Sequence, residues 1–203
     1  MRNISLFIKR AVDVLGSGIG LMLVSPLLVI TAVLIKLLMP GPVLFKQERV
    51  GKNGTLFYIL KFRTMKVDRK AEATHDSSKD AERTTPVGKL LRRTKIDELP
   101  QLINVLFGDM SLVGPRPTLK EQVEQYDSRQ MHRLDMRPGM TGLAQINGNI
   151  TLAWSERIEY DLQYVKKFSL LLDLHILIKT VLVVICGEEK FKNTDNKKEV
   201  LMK

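Results

Sequence analysis

The densest concentration of reactive side chains is Arg92-Arg93-Thr94-Lys95-Ile96-Asp97-Glu98-Leu99-Pro100-Gln101. Two adjacent carboxylates among three bases admit two readings. In the first, Asp97 and Glu98 merely open a helix, where acids complement the dipole and cap free N–H groups. In the second they divide a chemical task. Neighbours on a helix point in different directions, so the pair cannot flank one bond as glycosidase carboxylates do. One can act as nucleophile and the other as metal ligand. A carboxylate that attacks phosphorus forms an aspartyl phosphate. Magnesium held by oxygen ligands would screen the repulsion between that carboxylate and a diphosphate. Arg92, Arg93 and Lys95 are expected to lower both carboxylate pKa values and to hold phosphorylated groups.

Other chemistries find less support. His75, His132 and His175 are scattered without metal-ligand spacing. Neither a phosphate loop nor a dinucleotide glycine fingerprint occurs, so a bound nucleotide would rest on arginines and turn amides. The lone Cys186 cannot form an intrachain disulfide, which fits a reducing compartment; its apolar neighbours make it a buried, inert thiol.

The elements that must carry these residues divide sharply in polarity. The 203 residues suffice for one core, and 32 Lys and Arg against 22 Asp and Glu give a net charge of +10. That balance favours polyanions: nucleic acid, anionic lipid or phosphorylated substrates. Val14 to Ile35 contains no charged residue, and the run is long enough to span a bilayer. Ser25-Pro26 interrupts it, and bases flank both ends: Arg2, Lys9 and Arg10 before, Lys36, Lys46, Arg49 and Lys52 after. A simple span places its basic excess on one side. The pattern therefore favours a re-entrant helix, kinked at Ser25 and Pro26, over a straight span. The Ser25 hydroxyl is expected to satisfy a backbone group freed by the proline.

Beyond the Pro40–Pro42 break, Val43–Gln47 and Leu56–Lys61 read as a hairpin around Gly51-Lys52-Asn53-Gly54. Asp68–Thr85 reads as an exposed loop or frayed helix. Helices are expected over Pro86–Arg93, Asp97–Phe107, Leu119–Leu134, Trp154–Phe168 and Leu170–Ile185, with rigid turns at Gly114–Pro117 and Arg137–Gly142. The last helix suits either a membrane interface or a core. The fold class is α+β, mainly helical. Residues 1–39 form the membrane helix, 40–190 a catalytic domain and 191–203 a charged, disordered tail.

Several motifs occur together in order. They are Phe45-Lys-Gln-Glu-Arg49-Val-Gly51, Lys61-Phe-Arg63-Thr-Met65, Arg92-x-x-x-x-Asp97-Glu98-Leu-Pro-Gln, Gly108-Asp109-Met-Ser-Leu-Val-Gly-Pro115-Arg116-Pro117 and Arg137-Pro-Gly-Met-Thr-Gly142. With the proline-broken basic helix, they make the chain, to about Lys190, resemble the bacterial sugar transferases, the small monotopic phosphoglycosyl transferases. The resemblance implies a two-step transfer. Asp97 attacks the β-phosphorus of a UDP-sugar and releases UMP; undecaprenyl phosphate then takes the phosphosugar from the aspartyl intermediate. Glu98 matches the catalytic, magnesium-binding position, so Mg2+ is the expected cofactor. Arg92 matches a phosphate-binding position near the lipid substrate, Arg116 is expected to hold a diphosphate or the polyprenyl phosphate, and Arg137 to meet the nucleotide phosphates.

The implied partners are a UDP-sugar, undecaprenyl phosphate and membrane lipids, with no nucleic acid and with a homodimer allowed. The implied location is the cytoplasmic face of the bacterial cell (inner) membrane, at the start of capsule, exopolysaccharide or glycoprotein glycan assembly. The start of the chain, without a multi-span region, resembles the minimal form of the family. One departure stands out: Asn149 replaces an arginine that many relatives carry after Gly148, which removes a cation near the expected sugar or nucleotide site. Two readings from other classes are a membrane-anchored basic binding module and a catalytically silent assembly subunit. Neither gives Asp97 and Glu98 a task.

Overall fold

The computed structural model describes residues 2–67 and 80–186; His75, most of the charged 68–85 stretch and the 191–203 tail lie outside the described residues. Helix α1 (Arg2–Leu38) runs through Pro26 without a break in its assignment. Proline removes the N–H that would bond the carbonyl four residues earlier, here Met22. Ser25 Oγ donates to that oxygen at 2.9 Å, as its place before the proline predicts. The middle of the helix is bare: Met22 and Leu23 are 75% and 74% exposed. The helix is long and apolar enough to cross a membrane.

Both halves of α1 nonetheless pack on the rest of the chain. Lys9, Asp13 and Ser17, spaced four apart on one face, are buried. Lys9 Nζ pairs with Asp173 Oδ2 at 2.6 Å, and Arg10 donates to the carbonyls of Val105 and Leu106. These two bases are thus tertiary partners, not solvated flanks. Asp13 Oδ1 accepts from Ser111 Oγ at 3.0 Å and from Leu112 N at 2.9 Å. At the other end Ile35 and Met39 form a core cluster with Phe62 and Leu91.

The hairpin pairs β1 (Leu44–Val50) with β2 (Leu56–Phe62), antiparallel, with Phe45 opposite Lys61. A short helix α2 (Asp80–Arg83) precedes α3 (Pro86–Arg93), which Thr85 caps by accepting from Gly88 N. A Cβ at Gly88 would lie 1.9 Å from Thr64 O, so only glycine lets α3 approach the strand exit. Helix α4 (Gln101–Phe107) docks on β2 through Asn104, which bonds Leu60 N and Tyr58 O. The expected helix from Asp97 to Phe107 is divided. Lys95 takes a left-handed conformation (φ 58°), Ile96–Glu98 forms a 3-10 turn, and Pro100 opens α4.

Strand β3 (Ser111–Val113) pairs in parallel with β4 (Gly139–Thr141). Gly114, just after β3, would place a Cβ 2.3 Å from Arg137 O. The helix expected over Leu119–Leu134 is also broken, into α5 (Lys120–Val123) and a 3-10 segment over Gln130–Asp135. Capping cuts the run in two: Gln122 Oε1 accepts from Leu119 N at the start of α5, and Asp127 and Gln130 bond each other's backbone N–H ahead of the 3-10 segment. Helices α6 (Trp154–Lys167) and α7 (Leu170–Cys186) close the chain. Ile176 and Val183 of α7 join a core with Val113, Ile146 and Tyr164, while Leu171, Ile178, Val181 and Ile185 stay exposed. Cys186 is exposed too, because its apolar neighbours are the outer face of α7 and not the core. The architecture is α+β and mainly helical, with two small two-stranded sheets.

Candidate active site

The two carboxylates meet at the 3-10 turn, but their surroundings differ. Asp97 is 8% exposed, and its Oδ1 is buried without a hydrogen-bond partner among the described residues. Burial, and then the charge of Glu98, push its carboxyl up to about 6, against the opposing pull of Lys61, Arg92 and Lys95. This corrects the expectation that the neighbouring bases lower both groups. For Glu98 that expectation does hold: burial alone would raise it, but Lys61 and Arg116, with Lys95, outweigh burial and hold it below the ordinary glutamate value. Lys61 Nζ lies 2.5 Å from Glu98 Oε1. Environment thus separates two adjacent carboxylates into a raised, buried one with an unpartnered oxygen and a firmly ionised one.

Arg92 is exposed at the end of α3 and bonds Thr64 Oγ1 through Nε at 2.9 Å, within electrostatic reach of Asp97. Arg116 sits in the Pro115-Arg116-Pro117 turn that follows β3. Among the described residues its guanidinium has no hydrogen bond or ion pair; only its backbone is tied, with N on Asp161 Oδ2 and O accepting from Arg133. The nearby motif acid Asp109 is engaged elsewhere, its Oδ2 accepting from Asn104 Nδ2 at 3.3 Å. Arg133 and Asp161 form a buried pair, 3% and 1% exposed at the side chain, which fixes the turn from behind.

Arg116 also crowds other cations: burial and then its charge bring Arg49 down to about 10 and lower Arg157 as well. An excess of guanidinium over acid at one place is an electrostatic invitation to phosphate. Arg137 does not line the cavity described next; its Nε caps Gly108 O at 2.7 Å, at the end of α4.

A cavity of about 250 Å³ opens beside the turn, with Lys95, Glu98 and Arg116 on one wall and Ile146, Leu177 and Val184 among its apolar residues. Asp97, between Lys95 and Glu98 in the chain, does not itself line the cavity. Over residues 4–187 the chain matches the family described as bacterial sugar transferase. The chain belongs to that family.

Among its relatives, a UDP-N-acetylgalactosamine-undecaprenyl-phosphate N-acetylgalactosaminephosphotransferase of Aeromonas hydrophila is 46% identical over 187 residues, which cover 89% of this chain and 44% of the relative. A UDP-glucose:undecaprenyl-phosphate glucose-1-phosphate transferase of Klebsiella pneumoniae is 44% identical, covering 89% and 41%. This sugar transferase chain spans less than half the length of either. The exopolysaccharide production protein ExoY of Rhizobium meliloti is 40% identical, with 89% of this chain and 87% of the relative covered.

The sugar transferase site includes residues to which sequence reasoning gave no role. Lys61 had a signal: it follows Phe57 and Ile59 at alternate positions on β2, so a charge falls on the strand's inward face. Arg63 had none. It is buried and clamps the Met39 and Pro40 carbonyls, closing the junction between α1 and β1.

Proposed function

We propose that this protein transfers a sugar 1-phosphate from a UDP-sugar to undecaprenyl phosphate, releasing UMP, at the cytoplasmic face of the bacterial inner membrane. The observation that carries the reading is the buried Asp97 carboxylate, whose Oδ1 has no hydrogen-bond partner among the described residues, beside a Glu98 held ionised by Lys61. At neutral pH Asp97 is mostly ionised and more basic than an ordinary aspartate, which suits a nucleophile.

In the first step an Asp97 oxygen bonds to the β-phosphorus, and the bond from that phosphorus to the bridging oxygen breaks. UMP leaves with that oxygen. In the second, a phosphate oxygen of the lipid attacks the same phosphorus, the Asp97 O–P bond breaks, and the free carboxylate returns. Arg92 and Arg116 are suited to bind phosphate oxygens, Arg116 because no hydrogen bond or ion pair among the described residues engages its guanidinium. Arg137, held on Gly108 O, supports the strand that carries the turn.

The donor set fits magnesium. Glu98 is ionised and the unpartnered Asp97 Oδ1 belongs to the next residue, and one or two carboxylates with substrate phosphates are how this ion is commonly held. Among the described residues no cluster of three or more acidic, His or Cys groups offers a fuller cage. Bound there, the ion would neutralise charge on the diphosphate.

A re-entrant α1 is part of the proposal. Both its ends pack on one body, through Lys9 and Asp13 at one end and Ile35 and Met39 at the other. A straight span would carry that polar body across the bilayer. The relatives' names, transferases in undecaprenyl-linked and exopolysaccharide synthesis, support the substrate classes. A binding module has no use for a buried carboxylate with an unpartnered oxygen.

The test is UMP release from a panel of UDP-sugars with Mg2+ and undecaprenyl phosphate. Turnover with at least one sugar, lost by at least a thousandfold in Asp97→Ala, is the expected result. Equal release by both proteins would remove Asp97 from the chemistry.

A further inference from the structure

The cavity beside the catalytic turn is unlike a nucleotide site over most of its wall. Beyond Lys95, Glu98 and Arg116 its wall is mostly apolar, with Leu112, Met140, Ile146, Leu177, Val183 and Val184 on it, but it also includes the polar Thr141, Gln145, Asn149 and Thr180. Its two hydroxyls, Thr141 and Thr180, bond each other at 2.7 Å, so they ask nothing of a ligand. Both amide atoms of Gln145, also on the wall, are buried without a partner among the described residues. A pocket with cations at one end and a wall that is mostly hydrocarbon, Gln145 and Asn149 excepted, fits an amphiphile whose polar head is a phosphate.

The position of the cavity points the same way. Its far wall is the inner face of α7, one helix thickness from the exposed Ile178, Val181, Leu182 and Ile185. The Lys9–Asp173 pair ties the start of α7 to the first half of α1. Val184 belongs to the cavity wall and is 41% exposed, which puts it at the mouth toward that apolar surface. The volume of about 250 Å³ is below the roughly 300–1,000 Å³ of sites that enclose a whole drug-sized ligand. It therefore accepts one end of a long chain, with the remainder outside.

Resting on the transfer reaction proposed above, we propose that this cavity is the port for the lipid acceptor. The phosphate-proximal isoprene units lie between α7 and the β3–β4 pair, and Lys95 and Arg116 meet the acceptor phosphate. The nucleotide sugar approaches Asp97 from outside this cavity. The port explains how an acceptor dissolved in the membrane reaches a buried carboxylate: it slides past Val184 along hydrocarbon, and its phosphate meets the first cations at the turn.

The two half-reactions separate this port from the chemistry. Exchange of labelled UMP into UDP-sugar, without lipid, needs only the donor and Asp97; transfer also needs the port. Val184→Trp fills the mouth at a partly exposed position, and Ile185→Trp adds the same bulk on the outer face as a control. The expected result for Val184→Trp is at least a tenfold fall in kcat/KM for undecaprenyl phosphate, with lipid-free exchange within twofold of wild type and Ile185→Trp close to wild type in both. Transfer undiminished in Val184→Trp would overturn the port. So would loss of exchange and transfer together in a Val184→Trp protein with wild-type thermal unfolding, because the cavity would then serve the donor. Wild-type transfer without any lipid-free exchange would contradict the covalent route and not the port. In that case the KM split decides: a rise for the lipid alone supports the port, and a rise for UDP-sugar contradicts it.

Discussion

Asp97 is held in a state the folded chain does not favour. Its carboxyl is raised to about 6 from an ordinary 3.8, by burial first and by Glu98 second, so ionisation at neutral pH costs folding free energy. The sign follows from linkage. A folded-state pKa above the unfolded value means that stability is greatest with the proton bound, below about pH 4, and declines as pH rises through about 6. Asp97→Asn removes that charge in much the same shape. The variant should be inactive yet more stable than wild type by about 1–2 kcal/mol at pH 7.5, a figure reduced from the full shift because solvent still reaches the group. The gain should vanish near pH 4, and thermal unfolding at the two pH values measures it. The types and spacing of Asp97, Glu98, Arg92 and Arg116 were legible in the chain. The direction of Asp97's shift was not, because burial is a property of the fold and it outweighs three neighbouring bases. Lys61 was half legible: its inward register on β2 was there to be read, but Glu98 as its partner was not.

At the level of elements, the hairpin and α3 could be read because strand alternation, the Gly51–Gly54 turn and the Thr85-Pro86 start all agree. Leu119–Leu134 misled because its polarity resembles one surface helix, while the reciprocal Asp127–Gln130 bonds cap a second start inside it. Cys186 misled because an apolar run serves equally for a core or for an outward face. The buried Arg133–Asp161 pair left no local trace either, since its members are far apart in the chain. It nevertheless fixes the Arg116 turn through both backbone groups of Arg116. Asp161→Ala leaves Arg133 buried without its carboxylate, and breaking such a pair costs about 3–5 kcal/mol. Thermal unfolding should fall by several degrees, and activity in the surviving folded fraction should fall as well. Unchanged activity per folded molecule would mean that the turn does not need this support.

Across the whole molecule, one apolar helix and one polar body are tied at two places, and the arrangement has a topological consequence. Single cysteines near Lys9 and Lys46, in a Cys186→Ser background, should both be labelled from the cytoplasmic side only. Labelling from opposite sides would replace the re-entrant helix with a span. A helix that returns to its own side keeps the Asp97 turn at the depth where a lipid phosphate sits. It also suits a two-step route, which never gathers the donor diphosphate and the lipid phosphate at one carboxylate together.

The central claim is the covalent step, and its most direct measurement is mass spectrometry of the protein after incubation with its UDP-sugar and Mg2+ in the absence of lipid. The account predicts a sugar-phosphate adduct on the peptide that contains Asp97, discharged when undecaprenyl phosphate is added and absent from Asp97→Asn. A protein that transfers sugar phosphate to lipid but carries no adduct under rapid acid quench would contradict it, and would make the reaction a direct displacement between two substrates bound together.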